Sequence, residues 1–515
     1  MMTETTGLIL AGPVLRFRGA DKGQWSTAAL LVTEGGEAAP VFSLMVPGEG
    51  KVEVEPELLR AFEGKKVWRW KWSVPQTEES QEVAYSIGEA SYHYVVPAAD
   101  DKLRIAYGSC FGFHAPETMK KKDKEAMWKV LQQKHQNNPY HIMLMGGDQV
   151  YADGLWDKVE VMADWLDQPL EERLKAPFSE EMRKELEGFY FNLYTRLWGP
   201  RYYAGKMMGQ IPTLMMWDDH DIFDGWGSYP KEYQESPVYQ GIYKIARDHF
   251  RLFQLQARDD QDLGDGTLLG EKGFTYAYRI GDVAIAALDM RSERTQDQVM
   301  SLETLNHLRD WMDEQLSENT PGDGTACKHL LLLSSIPLVY VNMNLLEDMF
   351  GALPGHQELE DDFKDQWLSR AHQEERLMLI HRLLNFSGSS GCRVTIVSGD
   401  VHTACLGYIQ SERSQGKNDH TNVINQLVSS AMVNTPPPGM LVYMLEKVLG
   451  GKTEEIDRDI TARMLKFPGT SRRFIGARNW LSLTLDEQDR IWSEWYVEGE
   501  EKPYTKVIHP ITPAK

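Results

Sequence analysis

The sequence predicts an α/β fold preceded by an all-β N-terminal domain, and three observations carry that expectation. The chain has 515 residues, 42% hydrophobic and 25% charged, the proportions of a globular protein with a large buried core. Short β-rich runs crowd the stretch 7–97, bounded by Gly, Pro and charged turns. From Leu103 onward, buried apolar runs alternate with amphipathic helical stretches, as strands alternate with helices in an α/β domain.

The N-terminal runs are Thr27–Val32, Val41–Val46, Val67–Val74, Glu82–Ile87 and Ser91–Val96. Within them Trp68, Trp70 and Trp72 alternate with Arg69, Lys71 and Ser73, the period of a half-buried strand. Three tryptophans on one strand face read as core or domain interface before they read as a ligand-stacking platform. A β domain over 1–100 and a second domain over 101–515 follow from the change of texture. The second domain opens with a strand at Leu103–Tyr107, a helix at Asp123–Gln136, a buried strand at His141–Met145 and an aromatic-rich helix at Ser179–Trp198. A strand at Ile211–Trp217, a helix at Tyr239–Gln256 and a hairpin of Thr275–Ile280 with Val283–Asp289 across Gly281-Asp282 come next. Helices at Ser301–Leu316 and His372–Phe386 alternate with strands at His329–Ser334 and Arg393–Ser398, and Val423–Ser429, Trp480–Leu485 and Arg490–Tyr496 are the late strands. Between them, 336–370 is an insertion rich in Met, Gly and acidic residues that reads as a lid or mobile wall.

A formal charge of −21, from 76 acidic and 55 basic residues, opposes non-specific binding to nucleic acid or to an anionic membrane. It does not exclude a phosphate substrate, because a bound cation reverses the local sign of a site. Residues 1–12 lack a positively charged n-region, and no uninterrupted apolar run of 18 residues occurs. Four cysteines in so long a chain are no disulfide framework. These features predict a cytoplasmic protein without a membrane span, or a secreted one if a leader has been removed.

Chemistry-bearing residues gather where the buried strands end. One strand ends in Gly108-Ser109-Cys110, the next in Gly147-Asp148-Gln149-Val150-Tyr151-Ala152-Asp153. A third ends in Trp217-Asp218-Asp219-His220-Asp221, followed by Asp224, and a later one in Ser398-Gly399-Asp400-Val401-His402. The carboxyl ends of strands are where α/β sheets bind ligands. So many carboxylates at one place repel each other unless cations join them. Oxygen, imidazole and thiolate donors together suit a harder and a softer metal position. Two ions roughly 3.5–4 Å apart can share a carboxylate, generate hydroxide at neutral pH and stabilise both oxygens of an in-line displacement. Each piece has a plainer reading by itself: Asp218 to Asp221 as a helix N-cap cluster, Cys110 as a small buried side chain, Asp400 and His402 as a hydrogen-bonded pair. Their joint occurrence favours the metal site. Gly451-Lys452-Thr453 lacks the earlier glycine of a phosphate-binding loop, and Gly388-Ser389-Ser390-Gly391 lacks the spacing of a serine nucleophile elbow.

These segments, in this order, resemble the PhoD-like (alkaline phosphatase D) branch of the calcineurin-like metallophosphoesterases over roughly Leu103 to Val497. Leu288-Asp289-Met290-Arg291 and Ser429-Ser430-Ala431-Met432-Val433-Asn434 with Pro436-Pro437-Pro438 are similar to further stretches of that family. The resemblance implies a four-layer α-β-β-α sandwich with an N-terminal β domain. It implies a phosphoesterase that cleaves mono- or diesters by attack of metal-bound hydroxide on phosphorus. Cys110, Asp148, Tyr151 and Asp400 would ligate Fe(3+), with Asp148 bridging to Ca(2+); the same donor types also suit zinc or manganese. Asp219 would ligate the second ion, Asp224 being the weaker choice. His402 would be a ligand or its partner, and His220 the donor that protonates the leaving oxygen. Arg291 has two readings, a phosphate clamp and a structural salt bridge. The competing expectation is a metal-binding scaffold on the same fold that performs no catalysis.

Overall fold

The computed structural model describes residues 7–46, 50–112, 123–263, 267–268, 272–317, 327–341, 367, 372–412 and 422–511. The insertion expected at 336–370 therefore lies outside the described residues except for 336–341 and Trp367.

Two ten-stranded sheets dominate, with a four-stranded sheet beside them. The centre of the first is parallel: Arg104–Gly108, Ile142–Gly146 and Thr213–Met216 lie side by side, with Ile142 opposite Ile105 and Met143 opposite Thr213. The centre of the second is parallel too: Val283–Ala287, His329–Ser334, Arg393–Ser398 and Val423–Val428 run in order. These are the continuous apolar runs of the sequence, as strands buried on both faces require. Antiparallel strands from the C-terminal region extend both sheets: Asn479–Leu485, Ile491–Val497 and Tyr504–Ile508 in the first, Ala404–Ser411 and Ile460–Leu465 in the second.

Three apolar clusters show where the layers meet. One joins the helices Ala126–Asn137, Glu180–Leu197 and Pro237–His249 to Ala106, Met143, Met145 and Met215 of the first sheet. A second lies between the sheets, holding Ile105, Leu144 and Leu214 against Ile285, Leu331 and Val397. The third joins the helices Leu302–Gln315 and Gln373–Ser390 to the far face of the second sheet through Leu330, Leu332 and Ile396. Alternate residues of one strand thus enter different clusters, the strand period made visible. Three of these helices begin at a serine cap: Ser179, Ser236 and Ser301 each accept a backbone N–H from the first turn. Among the described residues no helix is long and apolar enough to cross a membrane.

The boundary expected at residue 100 does not coincide with a break in sheet or core. Leu8–Asp21, Gln24–Glu34, Lys65–Pro75 and Glu57–Phe62 continue the first sheet beyond Thr213–Met216, where Arg16 pairs with Thr213. Trp68, Trp70 and Trp72 sit in the cluster between the sheets, with Trp72 4.8 Å from the Phe42 ring, so the tryptophan ladder is core. Leu8–Asp21 was not expected, since Gly12-Pro13 reads as a breaker. The strand absorbs it by register shifts between Ala11 and Val14. Gly50–Val54 and Phe42–Val46 form the small sheet with Gln81–Ile87 and Ala90–Val96.

Candidate metal centre

The carboxyl ends of the parallel strands of both sheets open onto one place, and the side chains there are held on an unusual backbone. Cys110, Asp148, Asp400 and His402 all adopt positive φ, at 55°, 57°, 66° and 49°. Non-glycine residues enter that region rarely, and such residues cluster where function constrains the chain. Each follows a strand end by two to four residues, so the chain reverses sharply and turns the side chain inward. Gly147 makes the Asp148 reversal feasible: it has φ +104°, and an added Cβ would stand 2.7 Å from Asp218 Cβ.

The donor atoms of Asp148, Asp219 and His220 lie within 4.8 Å of one another, and so do those of Asp218, Asp219 and Asp400. Asp219 is the residue common to both groups. Cys110 stands beside them, its Sγ 3.5 Å from Asp148 Oδ2 and 3.1 Å from Ser430 Oγ. Tyr151 OH is 3.5 Å from both Asp148 Oδ2 and His402 Nε2, and its ring stacks on His220 at 4.1 Å. Asp224 is outside both groups; its backbone N–H donates to Asp153 Oδ1 at 2.7 Å.

Burial and mutual repulsion set the electrostatics. Burial pushes the Asp148 carboxyl well above the usual carboxylate range, and Asp218, Asp219 and Asp221 push it further against the pull of His220. Burial likewise raises the Cys110 thiol, with Asp148 adding to it, and raises the Tyr151 phenol, with Cys110 and Asp148 adding. Burial lowers His402 to about 4, helped by His220, so its imidazole is neutral and able to ligate. For His220 burial works downward, but Asp153 and Asp219 outweigh it and hold the ring well above its ordinary value.

The residues fit a cation. Among the described residues, Asp148 Oδ1 is buried with no hydrogen-bond partner, and Asp219 Oδ1 has no hydrogen bond but lies 3.3 Å from Arg291 Nη2. An unpartnered buried carboxylate oxygen is costly unless something positive meets it. Carboxylate, thiol, phenol and neutral imidazole together are a metal-ligand set.

Of the two readings of Arg291, the geometry contains the salt bridge. The side chain is fully buried, with Nε 2.5 Å from Asp218 Oδ1, Nη1 donating to Trp226 O at 3.0 Å and Nη2 3.3 Å from Asp219 Oδ1. That guanidinium is already committed to the carboxylates behind the site.

Three residues of the site were present in the quoted segments but given no role. Asp153 holds His220 through a 2.9 Å contact to Nδ1. Asp218 belongs to the second donor group. Asp221 accepts the backbone N–H groups of Asp148, Val150 and Asp218 at 2.9, 3.2 and 3.0 Å. Their only sequence signal was position within a strand-end segment; which carboxylate faces metal and which faces backbone depends on the fold.

The family described as PhoD-related phosphatase matches residues 76–354 and 352–453. An uncharacterized protein of Saccharomyces cerevisiae is 26% identical over 571 aligned residues, covering 92% of this chain and 80% of its own. The solved structure of PhoD superposes with a TM-score of 0.56 at 13% identity, covering 100% of this chain and 94% of that one, and shares the mixed α/β fold with several sheets. A purple acid phosphatase from yellow lupin (Lupinus luteus) seeds gives a TM-score of 0.49 at 10% identity, covering 96% of this chain and 73% of that one. With its profile matching well over half of the sequence, the chain belongs to the PhoD-related phosphatase family.

Proposed function

We propose that the protein is a metal-dependent phosphoesterase acting on small phosphate mono- or diesters. The observation that carries this reading is the buried, unpartnered Oδ1 of Asp148 inside a donor group that shares Asp219 with a second one. Membership of a phosphatase family supplies the reaction class. The reading extends to the architecture, a four-layer α-β-β-α sandwich; the three apolar clusters support the layering.

Cys110, Asp148, Tyr151 and Asp400 would hold one ion, and Asp219, which lies between the two donor groups and would serve both ions, would hold the second with His402 beside it. Fe(3+) and Ca(2+) are the proposed pair. Bound there, they would supply a hydroxide nucleophile at neutral pH and neutralise charge on the phosphoryl oxygens. His220 would protonate the leaving oxygen: Asp153 occupies Nδ1, which leaves Nε2 as the proton donor. Arg291 positions Asp218 and Asp219 and does not touch substrate.

The test is hydrolysis of a paired chromogenic monoester and diester before chelation, after it, and with iron and calcium restored. Turnover lost on chelation and recovered with metal supports the proposal, and the ratio of the two esters narrows the substrate class. Absence of turnover in every metal state overturns it in favour of a binding scaffold. For His220→Gln, metal content stays at two ions while kcat falls by about 10²–10⁴-fold, the usual worth of a general acid. Loss of an ion with that substitution would instead make His220 a ligand.

A further inference from the structure

The Asp148 turn is fastened from behind by a polar network that reaches a helix outside the site. The helix Pro237–His249 does not end as an α-helix; it passes into a π-turn at Phe250–Gln254. A π-turn inserts one residue into the helical register, and such turns gather at functional sites. Here the extra residue aims Gln254 inward, where its side chain is 1% exposed. Gln254 Nε2 donates to Asp221 Oδ1 at 3.0 Å and to Tyr194 OH at 2.9 Å, and its Oε1 accepts from Gln149 Nε2 at 2.7 Å.

From Gln149 and Asp221 the bonds go straight to the strained turn. Gln149 Oε1 accepts the Gly147 N–H at 3.1 Å, and Gln149 Nε2 also donates to Met216 O at the end of the adjacent strand. Asp221 accepts the N–H groups of Asp148 and Val150 from one loop and of Asp218 from the other. Gly147 and Asp148 both have positive φ; glycine adopts it freely, but at Asp148 it persists only where the surroundings over-determine it. The backbone of Asp148 and that of Asp218 are thus tied to one carboxylate, and Gln254 is the side-chain donor that orients it.

We infer that Gln254, presented by the π-turn, is a positioning residue that sets the Asp148 and Asp218–Asp219 loops in metal-binding register. It touches neither substrate nor cation and acts through Asp221 and Gln149. This inference rests on the metal site of the proposed phosphoesterase, and it assigns to that site a residue 33 positions from Asp221 and 105 from Gln149 in sequence.

The experiment compares Gln254→Leu and the near-isosteric Gln254→Glu with Leu252→Ala. Leu252 is a buried apolar residue of the same π-turn with no part in the network, so its truncation matches the loss of stability without touching the polar ties. Two readouts are taken: backbone hydrogen exchange of the metal-free protein, and titration with cobalt(II) followed by its d–d spectrum. Both Gln254 variants speed exchange at Gly147, Asp148 and Val150 selectively, leaving Leu330–Leu333 protected. Both weaken cobalt(II) binding by about 10–100-fold, the range for groups that orient metal ligands. Gln254→Glu is the worse of the two, because a carboxylate would face Asp221. Leu252→Ala lowers the melting temperature and keeps wild-type cobalt(II) affinity. Wild-type exchange at 147–150 in the Gln254 variants overturns the inference, as does equal loss of cobalt(II) affinity in Leu252→Ala. The exchange arm decides the matter even if the wild-type protein binds no cobalt(II), a result that would count against the phosphoesterase reading instead.

Discussion

At the residue scale the centre is defined by which carboxylates are compensated and which are not. Asp218 is met by Arg291, Asp221 by three backbone N–H groups and Gln254, and Asp153 by His220. Asp148 Oδ1 has no such partner among the described residues, whereas Asp219 Oδ1 lies 3.3 Å from the Arg291 guanidinium that also meets Asp218, so a cation relieves Asp148 most. Asp219 belongs to both donor groups, whereas Asp400 belongs to one. Asp219→Asn is therefore expected to lower metal content at both positions, and Asp400→Asn at one. Affinity at each affected position falls by more than about 10–100-fold, the loss usual even for groups that only orient ligands. Metal analysis of the purified variants checks this. Loss of a single ion in Asp219→Asn, with loss of both in Asp148→Asn, would return the bridging role to Asp148.

At the scale of elements, the strand-to-loop turns are the part on which the site depends. Gly147→Ala would place a Cβ 2.7 Å from Asp218 Cβ at a φ of +104°, so both the turn and the neighbouring loop must move. A loss of roughly 1–3 kcal/mol in stability is expected from the backbone alone, accompanied by loss of metal binding. Gly281→Ala is the comparison, since that hairpin glycine has φ +57° but open space around its Cβ. Denaturant unfolding of the two variants separates conformational strain from the clash, and equal metal affinity in both would show that the Asp148 turn tolerates displacement. These elements were largely legible in advance: His329–Ser334 and Arg393–Ser398 are continuous apolar runs, and the strand-end segments named most of the centre. What escaped were features that local pattern does not encode. Leu8–Asp21 hides its length behind Gly12-Pro13, and the π-turn that aims Gln254 leaves no mark in helical periodicity. Arg291 reads equally as a clamp or a strut until its burial beside Asp218 is known. The continuity of the first sheet across residue 100 depends on Arg16 meeting Thr213, a pairing of partners nearly two hundred residues apart.

At the scale of the whole molecule, two buried histidines far from the centre tie the fold's stability to pH. Burial lowers His135 to about 4, with His93 and Arg104 contributing, and lowers His329 to about 4, with Arg393 contributing against Asp489 and Asp282. The neutral rings are built in: His135 Nδ1 accepts the Tyr140 N–H at 3.0 Å, and His329 Nε2 donates to Asp489 O at 2.6 Å. The unfolded chain takes up these protons near pH 6.5, before the folded chain does. Their contribution is therefore fully present above pH 6.5 and is lost as pH falls from there toward about 4. Each tenfold separation in proton affinity is about 1.4 kcal/mol, so the two together weigh several kcal/mol in acid. The metal-free centre acts in the opposite sense. Burial raises Asp221 to about 7, above its unfolded value, so its contribution is present in acid and is lost as pH rises through 7. A pH profile of the wild-type protein alone mixes the two trends. The difference between wild type and His135→Gln isolates one of them, because the carboxylates cancel. Glutamine still accepts from the Tyr140 N–H but cannot be protonated. The variant is expected to be slightly less stable than wild type at pH 8 and to gain on it steadily as pH falls through 6 to 5. A difference in unfolding free energy that stays constant from pH 8 to 5 would mean that His135 protonates alike in both states, and that its burial carries no proton linkage.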